Sequence, residues 1–137
     1  MSYFVNSSDE AETSFYGAFS NLDMDLMRAT WLFSDDIYCI HPGGPLQSGF
    51  DKVMSNWAFI FKDSRPPEIN YALRRVVRQD NIAIHFVEEQ IGSGPEKATV
   101  LATNVYINTD QGWRLFSHHA SVPPEQSQKV PESAPIH

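Results

Sequence analysis

The sharpest constraint in the chain is a change of rhythm at "RPPEIN". Before Arg65-Pro66-Pro67 apolar residues recur every three or four positions, and from Ile69 to Ala120 they follow strand spacing. Two successive prolines end a helix, so backbone chemistry fixes the boundary as firmly as the pattern does. A chain that is helical first and strand thereafter, with short links between its strands, folds as α+β with an antiparallel or mixed sheet.

In the helical half, Ser7 and Glu10 have the spacing of a capping box and predict a helix from about Asp9 to Ser20. Phe15, Ala18, Phe19 and Leu22 then share a buried stripe. A second helix, Met24 to about Trp31, starts after Asp23. Ile37 to Ile40 reads as a short strand ended by the turn Pro42-Gly43-Gly44-Pro45. Ser48 is expected to cap a third helix, in which Phe50, Val53, Met54, Trp57, Ala58, Ile60 and Phe61 keep helical spacing. Strands follow at Ile69 to Gln79, Ile82 to Gln90, Ala98 to Asn108 and Trp113 to Ala120. Both parities are apolar: Ile82, Ile84 and Phe86 on one face, Ala83 and Val87 on the other. Two covered faces are therefore expected, one under the helices and one against a second subunit, giving a homodimer through the sheet face. Residues 1–122 read as one domain and 123–137 as a Pro-rich flexible tail.

With 10 Lys and Arg against 17 Asp and Glu, the net charge of -7 disfavours nucleic acid and anionic membrane as partners. Apolar residues never run long enough to span a bilayer, and the N-terminus lacks the pattern of a secretory signal. The single cysteine, Cys39, excludes an intrachain disulfide. A cytoplasmic protein is expected. Nine Phe, five Tyr and three Trp exceed what a minimal core of 137 residues requires, which suits a lined cavity or a buried interface.

Trp31, "YCIHPGGPLQSG" from Tyr38, "SNWAFIF" from Ser55 and "GWRLFSHHAS" from Gly112 resemble the SnoaL-like proteins of the nuclear transport factor 2-like superfamily. These are related to ketosteroid isomerase and to the association domain of calcium/calmodulin-dependent kinase II. The resemblance runs from about Ser7 to Pro123 and departs at Ser117, where such proteins often carry a further histidine. It implies a cystatin-like cone: a curled sheet closed by three helices, with ligands entering the wide end. The same fold hosts isomerases, dehydratases, cyclases, binders and assembly modules, so it does not name a reaction.

In such a cone Phe15, Phe19, Trp31, Tyr38, Trp57, Phe61 and Trp113 are the candidate apolar lining, with His41, Asn104 and His119 as polar groups. An imidazole titrates near ~6.5, which makes His41 and His119 the candidate acid/base residues; His41 equally suits fixing the Pro-Gly-Gly turn. His118 and His119 must point to opposite faces of their strand, and the sequence does not say which faces inward. His85 reads as a satisfied, packed histidine. A ketosteroid-isomerase type of reaction needs a carboxylate in an apolar site and a donor such as Tyr16 or Tyr38. Asp35, Asp36, Glu88 and Glu89 read as solvated. There is no G-x-S-x-G elbow and no partner set for a serine nucleophile. No metal-ligand spacing occurs, and neither metal nor cofactor is expected. The expected function is binding of a small, largely apolar molecule, with acid/base isomerisation, dehydration or cyclisation as its chemistry; a homo-oligomerising association module is the alternative.

Overall fold

A computed structural model describes residues 4–124. The expected tail, apart from Pro123 and Pro124, lies outside the described residues.

Helix α1 (Ser8–Asn21) begins where the sequence places it. The Ser7 hydroxyl accepts from Glu10 N, and Glu10 Oε2 reaches back to Asn6 N, satisfying two amides that the helix cannot. Leu22, with φ +53, ends it in the left-handed region. Helix α2 (Met24–Thr30) is capped by Asp23 through Leu26 N. Strand β1 (Tyr38–Ile40) leads into the Pro-Gly-Gly-Pro turn, closed by Gly44 N donating to His41 O.

The turn does more than stop β1. It returns the chain as a second short strand, β2 (Leu46–Ser48), paired antiparallel with β1 so that Ser48 faces Tyr38. Ser48 is therefore not the cap of the third helix. Gly49, φ +90, stands at that position, in a backbone conformation that side chains disfavour. Helix α3 (Phe50–Phe61) buries Val53, Met54, Trp57 and Phe61.

Strands β3 (Ile69–Gln79), β4 (Ile82–Ile91), β5 (Ala98–Thr109) and β6 (Gly112–Ser121) form an antiparallel meander. The "GSGPEK" link holds a 3₁₀ turn over Gly94–Glu96. β1 joins β6 in parallel, so the six-stranded mixed sheet runs β2-β1-β6-β5-β4-β3. Val5 crosses onto Gly112, and Trp113 N donates to Val5 O. A methyl group at Gly112 would sit 2.6 Å from that carbonyl oxygen.

The helices cover one face of the sheet, with α1 lying over β5 and β6. On the other face Val77, Ile82, Phe86 and Leu101 each keep 38–44% of their surface exposed. Opposite β5, Phe116 is an extra residue in β6, a bulge that shifts the alternation by one. Leu115 and His118 thus both turn inward, which simple counting along the strand does not give. None of the helices among the described residues is long and apolar enough to cross a membrane.

Candidate functional site

The space between the helices and the covered face of the sheet has two halves, one aromatic and one polar. The aromatic half is built from Phe15 and Phe19 of α1, Trp31 after α2, and Trp57 and Phe61 of α3. Phe15 stands 6.4 Å from Trp31 and 5.6 Å from Trp57, ring to ring; Phe19 is 5.0 Å and Phe61 5.6 Å from Trp57. The mostly edge-on arrangement is the one that ring quadrupoles favour. His41 closes this cluster with its ring 4.7 Å from Trp57. Its backbone carbonyl, and not its imidazole, holds the turn. Burial lowers the pKa of His41, and Asn56 works in the opposite direction.

Of the two remaining expected lining residues, one lies on the covered face and one does not. Tyr38 alternates with the buried Cys39 and so points away from the helices, packing its ring 6.2 Å from Phe116. Trp113, two residues before Leu115 and on its face, is half-buried and packs against the core, beyond the bulge from His118. The histidine pair resolves cleanly. His118 is buried on the covered face, whereas His119 is exposed on the outer face, where it shares a shallow cleft with Arg74, Phe86 and Leu101. His119 does not meet His41 or Asn104 in the interior.

The polar half was not legible as a unit in the sequence. Ser8, Glu12 and Tyr16, spaced by four on α1, form one buried stripe. Across from it His85, Asn104, His118 and Cys39 are register partners on four adjoining strands, a single row on the covered face. Glu89 lies on the same face of β4 as His85.

These groups bond to one another. Glu12 Oε2 lies 3.0 Å from His85 Nδ1, 3.0 Å from the Tyr106 hydroxyl and 3.4 Å from Asn104 Nδ2, and accepts from all three. Asn104 Nδ2 also donates to the Tyr16 oxygen at 3.0 Å, and Tyr16 donates to Glu89 Oε2 at 2.6 Å. With its amide nitrogen so committed, Asn104 presents Oδ1 to His118, whose Nδ1–H donates at 2.5 Å. The partners fix the protons, giving a directed chain from His118 through Asn104 and Tyr16 to Glu89.

Glu89 overturns the expectation that it is solvated: it is 1% exposed. Only its neighbour Glu88 faces outward, 3.4 Å from Arg74. Burial pushes the Glu89 carboxyl up to about 7, Tyr16 opposes the shift and Glu12 adds to it. Burial raises Tyr16 and Tyr106 far above the ordinary phenol range, so both remain donors. His118 is pushed down to about 3 by burial, then by His41 and His119, and is neutral at neutral pH. The Cys39 thiol is raised, mainly by burial, and remains protonated.

His85 is packed and satisfied, as expected, but its partners give it an unexpected connectivity. Nε2 lies 2.9 Å from Ser8 Oγ while Nδ1 binds Glu12. This is the partner set for a serine that sequence spacing did not reveal. With Ser8 itself buried at the first turn of α1, the arrangement ties the helix start to β4. Among the described residues, His, Cys, Asp and Glu form no group of three placed to hold a metal.

Three helices over a six-stranded mixed sheet, with rings and buried carboxyls between the layers, define an α+β protein of the nuclear transport factor 2-like and cystatin-like class. The sequence model of the SnoaL-like domain matches residues 9–125, and the chain belongs to that family, within the nuclear transport factor 2-like superfamily. A candidate calcium/calmodulin-dependent protein kinase type II association domain from Thiobacillus denitrificans is 31% identical with a TM-score of 0.83, over 88% of this chain and 98% of that one. A candidate dehydratase of the nuclear transport factor 2-like family from Streptomyces avermitilis is 28% identical with a TM-score of 0.78, over 85% and 94%. The F-box protein SKIP8 of Arabidopsis thaliana is 26% identical over 112 residues, 80% of this chain; the match spans 47% of that protein, about half its length.

Proposed function

We propose that the protein binds a small, largely apolar, ring-containing molecule in the cone and moves a proton on it, in an isomerisation or dehydration, with Glu89 as the acid/base group. The observation that carries this reading is the Glu89 carboxyl, buried against Tyr16, with burial pushing its pKa up to about 7. A general base works best when its pKa lies near the working pH, and positioned proton transfer contributes roughly 10²–10⁴ in rate. Tyr16 holds Glu89, Asn104 holds Tyr16 and His118 holds Asn104, so the carboxyl is oriented through three further side chains. Tyr71 stacks on Tyr16 at 4.2 Å and is itself 38% exposed, which puts one ring between this end of the network and solvent. The Streptomyces relative described as a dehydratase supports the same class of chemistry. His41 acts as a wall of the binding region, while His119 takes no part in proton transfer. The buried free thiol of Cys39 is consistent with a cytoplasmic setting.

The test uses 2-tetralone, an apolar ketone with acidic α-hydrogens, whose exchange with deuterium oxide is followed by NMR. The wild type is expected to accelerate exchange, with the rate rising through about pH 7, and Glu89→Gln to lose at least about 100-fold. No acceleration by the wild type, or full activity in Glu89→Gln, overturns the assignment.

A second reading, self-association, is supported by the exposed apolar side chains of the outer face and by the Thiobacillus relative's association-domain description. A homodimer through Phe86, Leu101 and their neighbours leaves the covered face intact, so the two readings are compatible.

A further inference from the structure

The "SNWAFIF" motif holds two buried polar atoms that the hydrogen-bond network does not reach, the acceptor Asn56 Oδ1 and the donor Trp57 Nε1. Trp57 is fully buried, and its indole Nε1 has no hydrogen-bond partner among the described residues. Trp31, the other buried tryptophan of the cluster, does have one: its Nε1 reaches Met27 Sδ at 3.3 Å. Native folds seldom leave an interior donor without an acceptor, and an indole nitrogen can only donate. Whatever completes the site must therefore bring an acceptor.

The surroundings limit what that acceptor is. Rings of His41, Phe19, Phe15 and Phe61 lie 4.7–5.6 Å from the Trp57 ring, which favours an apolar body around the accepting atom. His118 stands 6.3 Å away, and burial keeps both it and His41 toward the neutral form. The charged groups facing this interior are the carboxyls Glu12 and Glu89. A carboxylate or phosphate would meet two acids and no cation, whereas an uncharged oxygen meets no repulsion. His41 is only half-buried, and its ring is the one nearest Trp57 at 4.7 Å.

We propose that the indole N–H of Trp57 is the anchoring donor for an uncharged oxygen acceptor, a ketone, aldehyde or ester carbonyl, on a ring-containing ligand. This rests on the reading of the cone as a binding site and names the chemical class it takes. It gives the Trp57 position a specificity role: hydrocarbons of the same shape lose the hydrogen bond, and anions are rejected by the acids behind it.

The three tryptophans give three indole N–H signals in a ¹H–¹⁵N spectrum, assigned with Trp57→Phe. Titrating wild-type protein with 2-tetralone is expected to move the Trp57 signal downfield and saturably. Tetralin, the hydrocarbon of the same shape, is expected to bind about tenfold more weakly without that shift, the weight of one hydrogen bond. The anion 2-naphthoate is expected to bind more weakly still. Trp57→Phe should bring 2-tetralone down to the affinity of tetralin. Equal affinity for 2-tetralone and tetralin, with no Trp57 shift, overturns the anchoring role and leaves the apolar binding site standing. Saturation by neither compound overturns both. Tighter binding of 2-naphthoate overturns the preference for an uncharged acceptor. The wild-type shift decides the matter even if Trp57→Phe fails to fold.

Discussion

The two faces of β4 reverse the usual order of a soluble sheet. Toward the helices the strand turns Ala83, His85, Val87 and Glu89; toward the outside it turns Ile82, Ile84 and Phe86. The neighbouring β5 repeats the arrangement, with Asn104 and Tyr106 inward and Leu101 outward. Water would ordinarily select the opposite distribution. The covered face can hold polar groups because each finds a partner there, and the outer face can hold apolar ones because a second surface can cover them. The difference separates the two proposed properties of the molecule: the acid/base reading rests on the face under the helices, the self-association reading on the open side.

The largest expected effect comes from breaking the inner face. Glu12→Ala leaves His85, Tyr106 and Asn104 without their shared acceptor, and is expected to cost about 3–5 kcal/mol in urea unfolding at pH 7. Phe86→Ser, on the outer face, should cost the monomer about 1 kcal/mol or less. Equal costs would erase the distinction.

Next in size is a pair of opposed pH dependences. The folded-state pKa of Glu89, about 7 against an ordinary value of 4.5, makes its contribution to stability largest below pH 4.5 and diminishing up to pH 7. That of His118, about 3 against 6.5, makes its contribution complete above pH 6.5 and lost as the pH falls toward 3. Between pH 4.5 and 6.5 the two oppose each other in the wild type. In Glu89→Gln stability should climb across that window by roughly 3 kcal/mol, and in His118→Asn it should fall by a similar amount. Urea midpoints at pH 4.5, 5.5 and 6.5 measure this; slopes parallel to the wild type in both variants would contradict the buried assignments.

On the outer face, Leu101→Asp is expected to convert a sedimenting dimer to monomer at micromolar concentration, while Tyr16→Phe leaves association unchanged. The smallest effect belongs to Tyr16→Phe itself. Because the Tyr16 hydrogen bond lowers the Glu89 pKa, its removal should raise the Glu89 midpoint further, by under about one unit.

The architecture was legible because it rests on local rules. The proline pair after α3, the Ser7 and Asp23 caps and the spacing of Phe15, Phe19, Trp57 and Phe61 each act within a few residues. What lay beyond reach was what depends on register. Nothing in "HPGGPLQSG" distinguishes a turn that ends a strand from one that returns it as β2, and the bulge at Phe116 defeats a count of parity from Trp113 to His119. The polar network joins residues up to 94 positions apart. A signal was nevertheless present: Ser8, Glu12 and Tyr16 at four-residue spacing, and His85 and Glu89 on the parity of Ala83 and Val87, are polar residues where a core face was expected. Treating Glu89 as the solvated end of a strand concealed it.

The most direct measurement is a ¹³C NMR titration of the Glu89 side-chain carboxyl from pH 4 to 9, identified by its loss in Glu89→Gln. A midpoint near 7 is expected for a carboxyl held against Tyr16 beneath the aromatic roof. A midpoint near the ordinary carboxylate value of 4.5 in the folded protein would contradict it.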